Sequence, residues 1–146
     1  VPNTYTKLTY HLVFCTKHRR KSIEPAWRDE LYAYIGGIVR NEGGQLIAAG
    51  GMPDHVHLLV IASPTATVSQ LLMKIKANSS HWVSANKAAF DWQEGYGAFT
   101  VSESRIPAIK KYITNQEEHH RKLSFQEEFA MLLERHGVEF DPRYLA

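Results

Sequence analysis

The sequence holds a single cysteine, Cys15, among 146 residues. No internal disulfide can form, and no zinc cluster built on cysteine pairs is possible. No apolar run approaches the roughly 20 residues that a membrane span needs. Nothing at Val1 has the basic-then-apolar make-up of a secretory leader, and Met is missing there, so a trimmed start is expected. Low-complexity tracts and internal repeats are also missing. These absences exclude a disulfide scaffold, an integral membrane protein and a disordered chain. They fit a protein of a reducing cytoplasm, the expected location.

What is present is 44% hydrophobic and 22% charged, enough for one ordinary domain with a buried core. The expected extent is residues 1–146, with a core of about 5–122 and a C-terminal helix and tail over 123–146. Net charge is +2, unevenly spread. Residues 1–122 carry 15 Lys/Arg and 10 Asp/Glu, whereas 123–146 carry 2 and 5. A basic body permits a polyanionic partner without demanding one.

Strand and helix signals alternate. Leu8–Thr16 is rich in β-branched and aromatic residues and reads as a strand, followed by a basic loop, Lys17–Lys21. Pro25 opens a helix with Trp27, Leu31, Ile35 and Ile38 at helical spacing, ended by Gly43-Gly44. Gln45–Ala49 is a short strand, residues 50–54 are turn chemistry, and His55–Ala62 is a second long strand. Thr67 caps a helix that buries Val68, Leu71, Leu72, Ile75 and Trp82. Residues 86–97 read as loop and Ala98–Val101 as a last strand. Ser104 is expected to cap a helix running to about Lys122, with Pro107 in its first turn. Ser124–Glu127 has capping-box form and opens a final helix through His136, stopped by Gly137. The order β-α-β-β-α-β plus C-terminal helices is the ferredoxin-like α+β pattern with an antiparallel sheet. One sheet face is covered by the crossover helices. The other needs the C-terminal helices or a second subunit.

His55 and His57 stand two apart in a strand, so both project from one face, beside Leu59 and Ile61. Two imidazoles at that spacing can ligate one metal ion, or can simply be polar residues satisfied by neighbours. Tyr112 and Gln116 stand at i and i+4 beside the apolar stripe of Ile106, Ile109 and Ile113. Gln116 offers an oxygen that suits a hard cation, while Tyr112 can equally be an amphipathic residue at a packing edge. Lys110, Lys111, Arg121, Lys122, His119 and His120 surround this face. The two late histidines read as surface residues, phosphate contacts or spare ligands.

The stretch from Gly51 to Val60, with its centre at His55-Val56-His57, resembles the histidine–hydrophobic–histidine (HUH) motif. Tyr10–Arg20 resembles the first strand and basic loop of the same proteins, and Tyr112-x-x-x-Gln116 resembles their catalytic helix. The resemblance, to single-tyrosine HUH transposases of the insertion-sequence-200-like family, runs over nearly the whole chain. It implies that His55, His57 and Gln116 hold a divalent cation, Mg²⁺ or Mn²⁺, and that Tyr112 is the nucleophile. The implied reaction is cleavage and rejoining of single-stranded DNA at hairpin-bearing element ends through a 5′-phosphotyrosine link. No nucleotide cofactor or membrane is needed. A bacterial-type cytoplasm, with nucleoid association during action, and a homodimer follow from the same resemblance. Lys17, Arg19, Arg20, Lys21, Lys74, Lys76, Lys110 and Lys111 are then candidate DNA contacts, and Trp82, Trp92 or Tyr96 candidate stacking platforms. Two other readings stand beside it. One is a catalytically retired or repurposed hairpin-binding protein of the same fold. The other is a metal-dependent hydrolase of small phosphoesters, which the lack of clustered carboxylates near His55 disfavours.

Overall fold

The aromatic and β-branched residues of LTYHLVFC draw Leu8–Cys15 into the first strand, β1, at the centre of the sheet. The computed structural model describes residues 3–145; Val1, Pro2 and Ala146, the ends of the expected domain, lie outside the described residues. After β1 come α1 (Arg28–Asn41), β2 (Gln45–Met52), β3 (His55–Ala62), α2 (Val68–Asn86) and β4 (Gly97–Thr100). Three helices follow: α3 (Ile106–Thr114), α4 (Gln116–His119) and α5 (Phe125–Arg135). The sheet order is β2-β3-β1-β4, antiparallel throughout, as the ferredoxin-like pattern requires.

Strand alternation sorts the core into two sides. Leu12, Phe14, Val56, Leu58 and Val60 face α1 and α2, where Leu31, Ile35, Leu72 and Ile75 meet them. On the other face, Val13, Cys15 and Phe99 lie under Phe125, Leu132 and Leu133 of α5. Ala48 and Leu59 lie under Ile113 of α3. The chain's own C-terminal helices therefore cover the second face, and the sheet itself creates no need for another subunit there. Thr67 and Ser124 both form the expected capping boxes. Among the described residues no helix is long and apolar enough to cross a membrane.

Four local expectations change. β2 runs on to Met52 instead of ending at Ala49, which shrinks the turn to Pro53-Asp54. The glycines there serve close approach: a Cβ on Gly50 would collide with the Ile113 carbonyl, and one on Gly51 with the His55 carbonyl. The last strand begins at Gly97. The helix expected from Ser104 to Lys122 is broken. Ser104 lies in a short 3₁₀ turn and caps nothing, and α3 ends at Thr114. Thr114 Oγ1 donates back to the carbonyls of Lys110 and Lys111 (3.1 and 3.2 Å), and Asn115 leaves helical geometry. Lastly, Trp82 is half-buried and stacks on Tyr34, with ring centroids 5.1 Å apart, at the rim of the core.

Gly50→Ala should push α3 off β2 and lower stability by about 2 kcal/mol in urea denaturation. Gly37→Ala, in α1 with open space around it, should instead raise stability by about 0.5–1 kcal/mol.

Candidate active site

The pleat of β3 turns His55 and His57 toward α3–α5, where both are fully buried. His55 Nδ1 donates to Asp54 Oδ1 at 2.8 Å; a carboxylate can only accept, so the proton sits on Nδ1 and Nε2 faces inward. There it lies 3.2 Å from Gln116 Oε1 and 3.4 Å from Glu128 Oε1. His57 Nε2 is 2.9 Å from the same Glu128 oxygen, and its Nδ1 is 2.8 Å from His11 Nε2. His120 Nδ1 donates to the Leu123 carbonyl at 2.7 Å, and its Nε2 lies 3.0 Å from Glu128 Oε1 and 3.1 Å from Gln116 Oε1.

The second oxygen of Glu128 serves the tyrosine. Tyr112 donates its hydroxyl to Glu128 Oε2, and Gln116 Nε2 donates to the same atom at 3.1 Å. One carboxylate, 2% exposed, thus joins β3, α3, α4 and α5. All of these groups come from one chain, so a single copy brings the phenol and the histidines together.

Burial alone would raise the Glu128 carboxyl, but hydrogen bonds from His120, His55 and His57 hold it far below the usual carboxylate range. Burial would lower His55, yet its bonds to Asp54 and Glu128 push it up to about 9. His57 is pushed down by its complete burial despite Glu128. Burial, helped by His57, pushes His11 down to about 3, so His11 is neutral and its Nε2 can accept a hydrogen bond from its neighbour. The Tyr112 phenol is pushed up, first by burial and then by the Glu128 charge.

His55, His57 and Glu128 offer ligand atoms within 4.8 Å of one another, a buried group that could hold a metal ion. Adjacent ligands around a cation at about 2.1 Å stand about 3 Å apart. The separations among His55 Nε2, His57 Nε2, Gln116 Oε1 and Glu128 Oε1 given above match that edge length. Imidazole nitrogens with carboxylate and amide oxygens, and no sulfur, form a donor set that could hold a divalent cation.

The structure brings His55, His57, Tyr112 and Gln116 together. The basic residues are more scattered. Lys17, Arg20 and Lys21 are exposed on the loop after β1, and Arg19 is half-buried. That loop is held in a strained form: His18 and Arg19 have φ of 57° and 51°, in the left-handed region that disfavours side-chain-bearing residues. The His18 amide donates to Gln93 Oε1 at 2.9 Å, and Thr16 Oγ1 donates to the Arg20 carbonyl at 2.6 Å. Lys110 and Lys111 are exposed on α3. Lys74 is exposed on α2, on the far side of the sheet from the histidines, beside Tyr34 and Asn41 of α1. Lys76 is half-buried and donates to the Gln93 and Gly95 carbonyls (2.8 and 2.6 Å), which ties it to its own loop. Trp92 is buried and bonded to Ser79, while Tyr96 stays exposed.

Glu128 and His11 went unnoticed in the sequence. Glu128 did leave a signal: Phe125, Glu128 and Leu132 share one helical face, so an acid stands inside an apolar stripe. His11 likewise alternates with Thr9, Val13 and Cys15 on the face that carries the histidines.

Comparison with known proteins bears on this arrangement. The family model described as "Transposase IS200 like" matches residues 4–116. The ISDra2 transposase TnpA of Deinococcus radiodurans is 30% identical over 118 residues, which is 75% of this chain and 84% of that protein. A crystal structure of a candidate transposase from Deinococcus radiodurans R1 superposes with a TM-score of 0.64 at 31% identity, covering 80% of this chain and 95% of that one. The structure of a REP-associated tyrosine transposase bound to a REP hairpin superposes with a TM-score of 0.57 at 17% identity, covering 77% and 68%, and shares the fold.

Glu128→Ala should destabilise the metal-free protein by about 3 kcal/mol in urea denaturation with chelator present, because His55, His57 and His120 then lose the buried carboxylate they share, with only Asp54 left beside His55. A change under 1 kcal/mol would show that the carboxylate does not hold the imidazoles together.

Proposed function

The chain belongs to the IS200-like transposase family, a family of DNA transposases, and on that premise we propose that it cleaves and rejoins single-stranded DNA through Tyr112. The observation that carries the reading is the shared carboxylate: Glu128 touches the Tyr112 hydroxyl with one oxygen and the two β3 histidines with the other. A nucleophile and a cation-holding group thereby stand at two ends of one side chain.

The Tyr112 oxygen attacks the scissile phosphorus, a bond to the 5′ phosphate forms, and the P–O3′ bond breaks. The departing 3′ oxygen takes a proton and becomes a hydroxyl. Attack by a 3′-hydroxyl on the phosphotyrosine reverses these bonds, so the phosphodiester energy is kept and no nucleotide is spent. His55, His57, Glu128 and Gln116 would hold the Mg²⁺ or Mn²⁺. That ion would supply charge to polarise the phosphate and offset the anion formed in the attack. The buried Tyr112 phenol keeps its proton at neutral pH, so the proton must leave as the attack proceeds. Gln116 holds Glu128 from the side of the tyrosine and so keeps its carboxylate in register.

A polar cleft of about 360 Å³ reaches Gln116 between Arg28, Arg121, Asn115 and the β2 glycines, with Asp29 on its wall and Arg28 and Arg121 paired to Glu117 and Glu118. The basic loop at Lys17–Lys21, fixed by its bonds to Gln93 and Thr16, would position the backbone of a hairpin end. Exposed Tyr96 could stack an unpaired base. The related REP-associated transposase was solved with a hairpin, which supports a hairpin as the recognised element here. Cutting two element ends with one tyrosine per chain favours a pair of chains, each with a complete centre.

With a single-stranded hairpin oligonucleotide and Mn²⁺, the protein should form a denaturation-resistant covalent adduct. Tyr112→Phe should abolish the adduct while hairpin affinity stays within about twofold, since only a hydroxyl is lost. An adduct that persists in Tyr112→Phe would assign the nucleophile elsewhere.

A further inference from the structure

His120 lies outside the motifs that the sequence offered for the metal site, and its surroundings give it the form of a ligand. An imidazole that binds a metal passes its other ring proton to a fixed acceptor, which sets the tautomer and aims the lone pair. His55 does this through Asp54, and His120 does it through the Leu123 carbonyl, which can only accept. The Nε2 atoms of the two rings then face the same two oxygens, Gln116 Oε1 and Glu128 Oε1. Gln116 is oriented for this by its amide nitrogen, which points away toward Glu128 Oε2 and the Tyr112 carbonyl. Two nitrogens and two oxygens therefore face one another at 3.0–3.4 Å. Protons can serve one such pair at a time, whereas one dication in their midst serves all of them. The rings also stand edge to face, with centroids 4.7 Å apart.

We propose that His120 is a third imidazole ligand, so that the centre is a three-histidine, one-carboxylate, one-amide cage that selects Mn²⁺ over Mg²⁺. The inference rests on the metal-dependent reading above and deepens it. Its chemical basis is ligand softness. Mg²⁺ favours oxygen and water, while each added imidazole shifts preference toward a transition ion. With Nε2 turned inward, His57 can hydrogen-bond through its Nδ1–H to His11 Nε2, 2.8 Å away, which makes the three rings alike: each has an acceptor for its outer N–H. His120 also ends α4, so the break in the helix after Thr114 has a use. It lets the chain turn back and deliver a ligand four residues after Gln116.

The test is pulsed electron paramagnetic resonance of Mn²⁺ bound to the full chain grown with ¹⁵N-histidine, together with titration of free Mn²⁺ and competition by Mg²⁺. The wild-type protein should show three coupled imidazole nitrogens. His120→Ala should show two, with Mn²⁺ bound at least about tenfold more weakly and the preference over Mg²⁺ reduced by a similar factor. Wild-type protein with only two coupled imidazoles would overturn the proposal and leave the metal-dependent reading standing, whether or not the variant folds. Unchanged discrimination in a folded His120→Ala would do the same. Failure of the wild type to bind Mn²⁺ at all would overturn both.

Discussion

The carboxylate of Glu128 is the constraint around which the active centre is arranged. A buried anion is costly unless every lone pair finds a donor or a cation. Here one oxygen meets His57 and His120 at about 3 Å, and the other meets Tyr112 and Gln116. The partners come from β3, α3 and the α4 turn, so satisfying the carboxylate fixes how α3, α4 and α5 lie on the sheet. Apolar packing of Phe125 and Leu132 on Val13 and Phe99 supplies the buried surface under this centre. The polar centre adds direction to a contact that apolar surface supplies only in amount.

The two sides of the sheet divide the work. The side under α1 and α2 is filled by Leu12, Phe14, Val56, Leu58 and Val60 and carries no histidine. The other side mixes Val13, Cys15 and Leu59 with Thr9, His11, His55 and His57, all buried. An apolar layer behind a strand holds its backbone still, and a still backbone is what lets imidazoles on the opposite face keep a ligand geometry. Gly50 belongs to the same logic. It brings α3 so close to β2 that the tyrosine helix is referenced directly to the sheet backbone.

The sequence made the architecture readable because its signals there are local. Alternation in LTYHLVFC and HVHLLVIA, the Thr67 and Ser124 capping boxes, and glycines after α1 each depend on a few neighbours. The HUH-like pattern and the tyrosine–glutamine pair were readable for the same reason. Glu128 was not, because its role depends on a contact 71 residues away from His57. Only its place between Phe125 and Leu132 hinted at burial, and a lone acid in an amphipathic helix is usually read as tail charge. The break after Thr114 was missed because its cause, a threonine hydroxyl turned back on its own helix, competes with a strong helical pattern on either side. His120 is not legible as part of the centre, because two adjacent histidines at the end of a helix look like surface until the Leu123 carbonyl fixes one of them.

Charge explains how a centre this closed can still accept DNA on the proposed reading. His55, His57 and Glu128 are fully or almost fully buried, so a phosphate cannot simply be added beside them. The position next to the Tyr112 hydroxyl is already taken by Glu128 Oε2. A phosphodiester carries one negative charge, the same as that carboxylate. On the proposed reading the scissile phosphate reaches Tyr112 only when Glu128 Oε2 gives up its hydrogen bond to the phenol, and the added negative charge would be offset by the cation that the histidines and Glu128 would hold. The acidic C-terminal segment, through Glu128, thus occupies the place beside the Tyr112 hydroxyl that the phosphate would take.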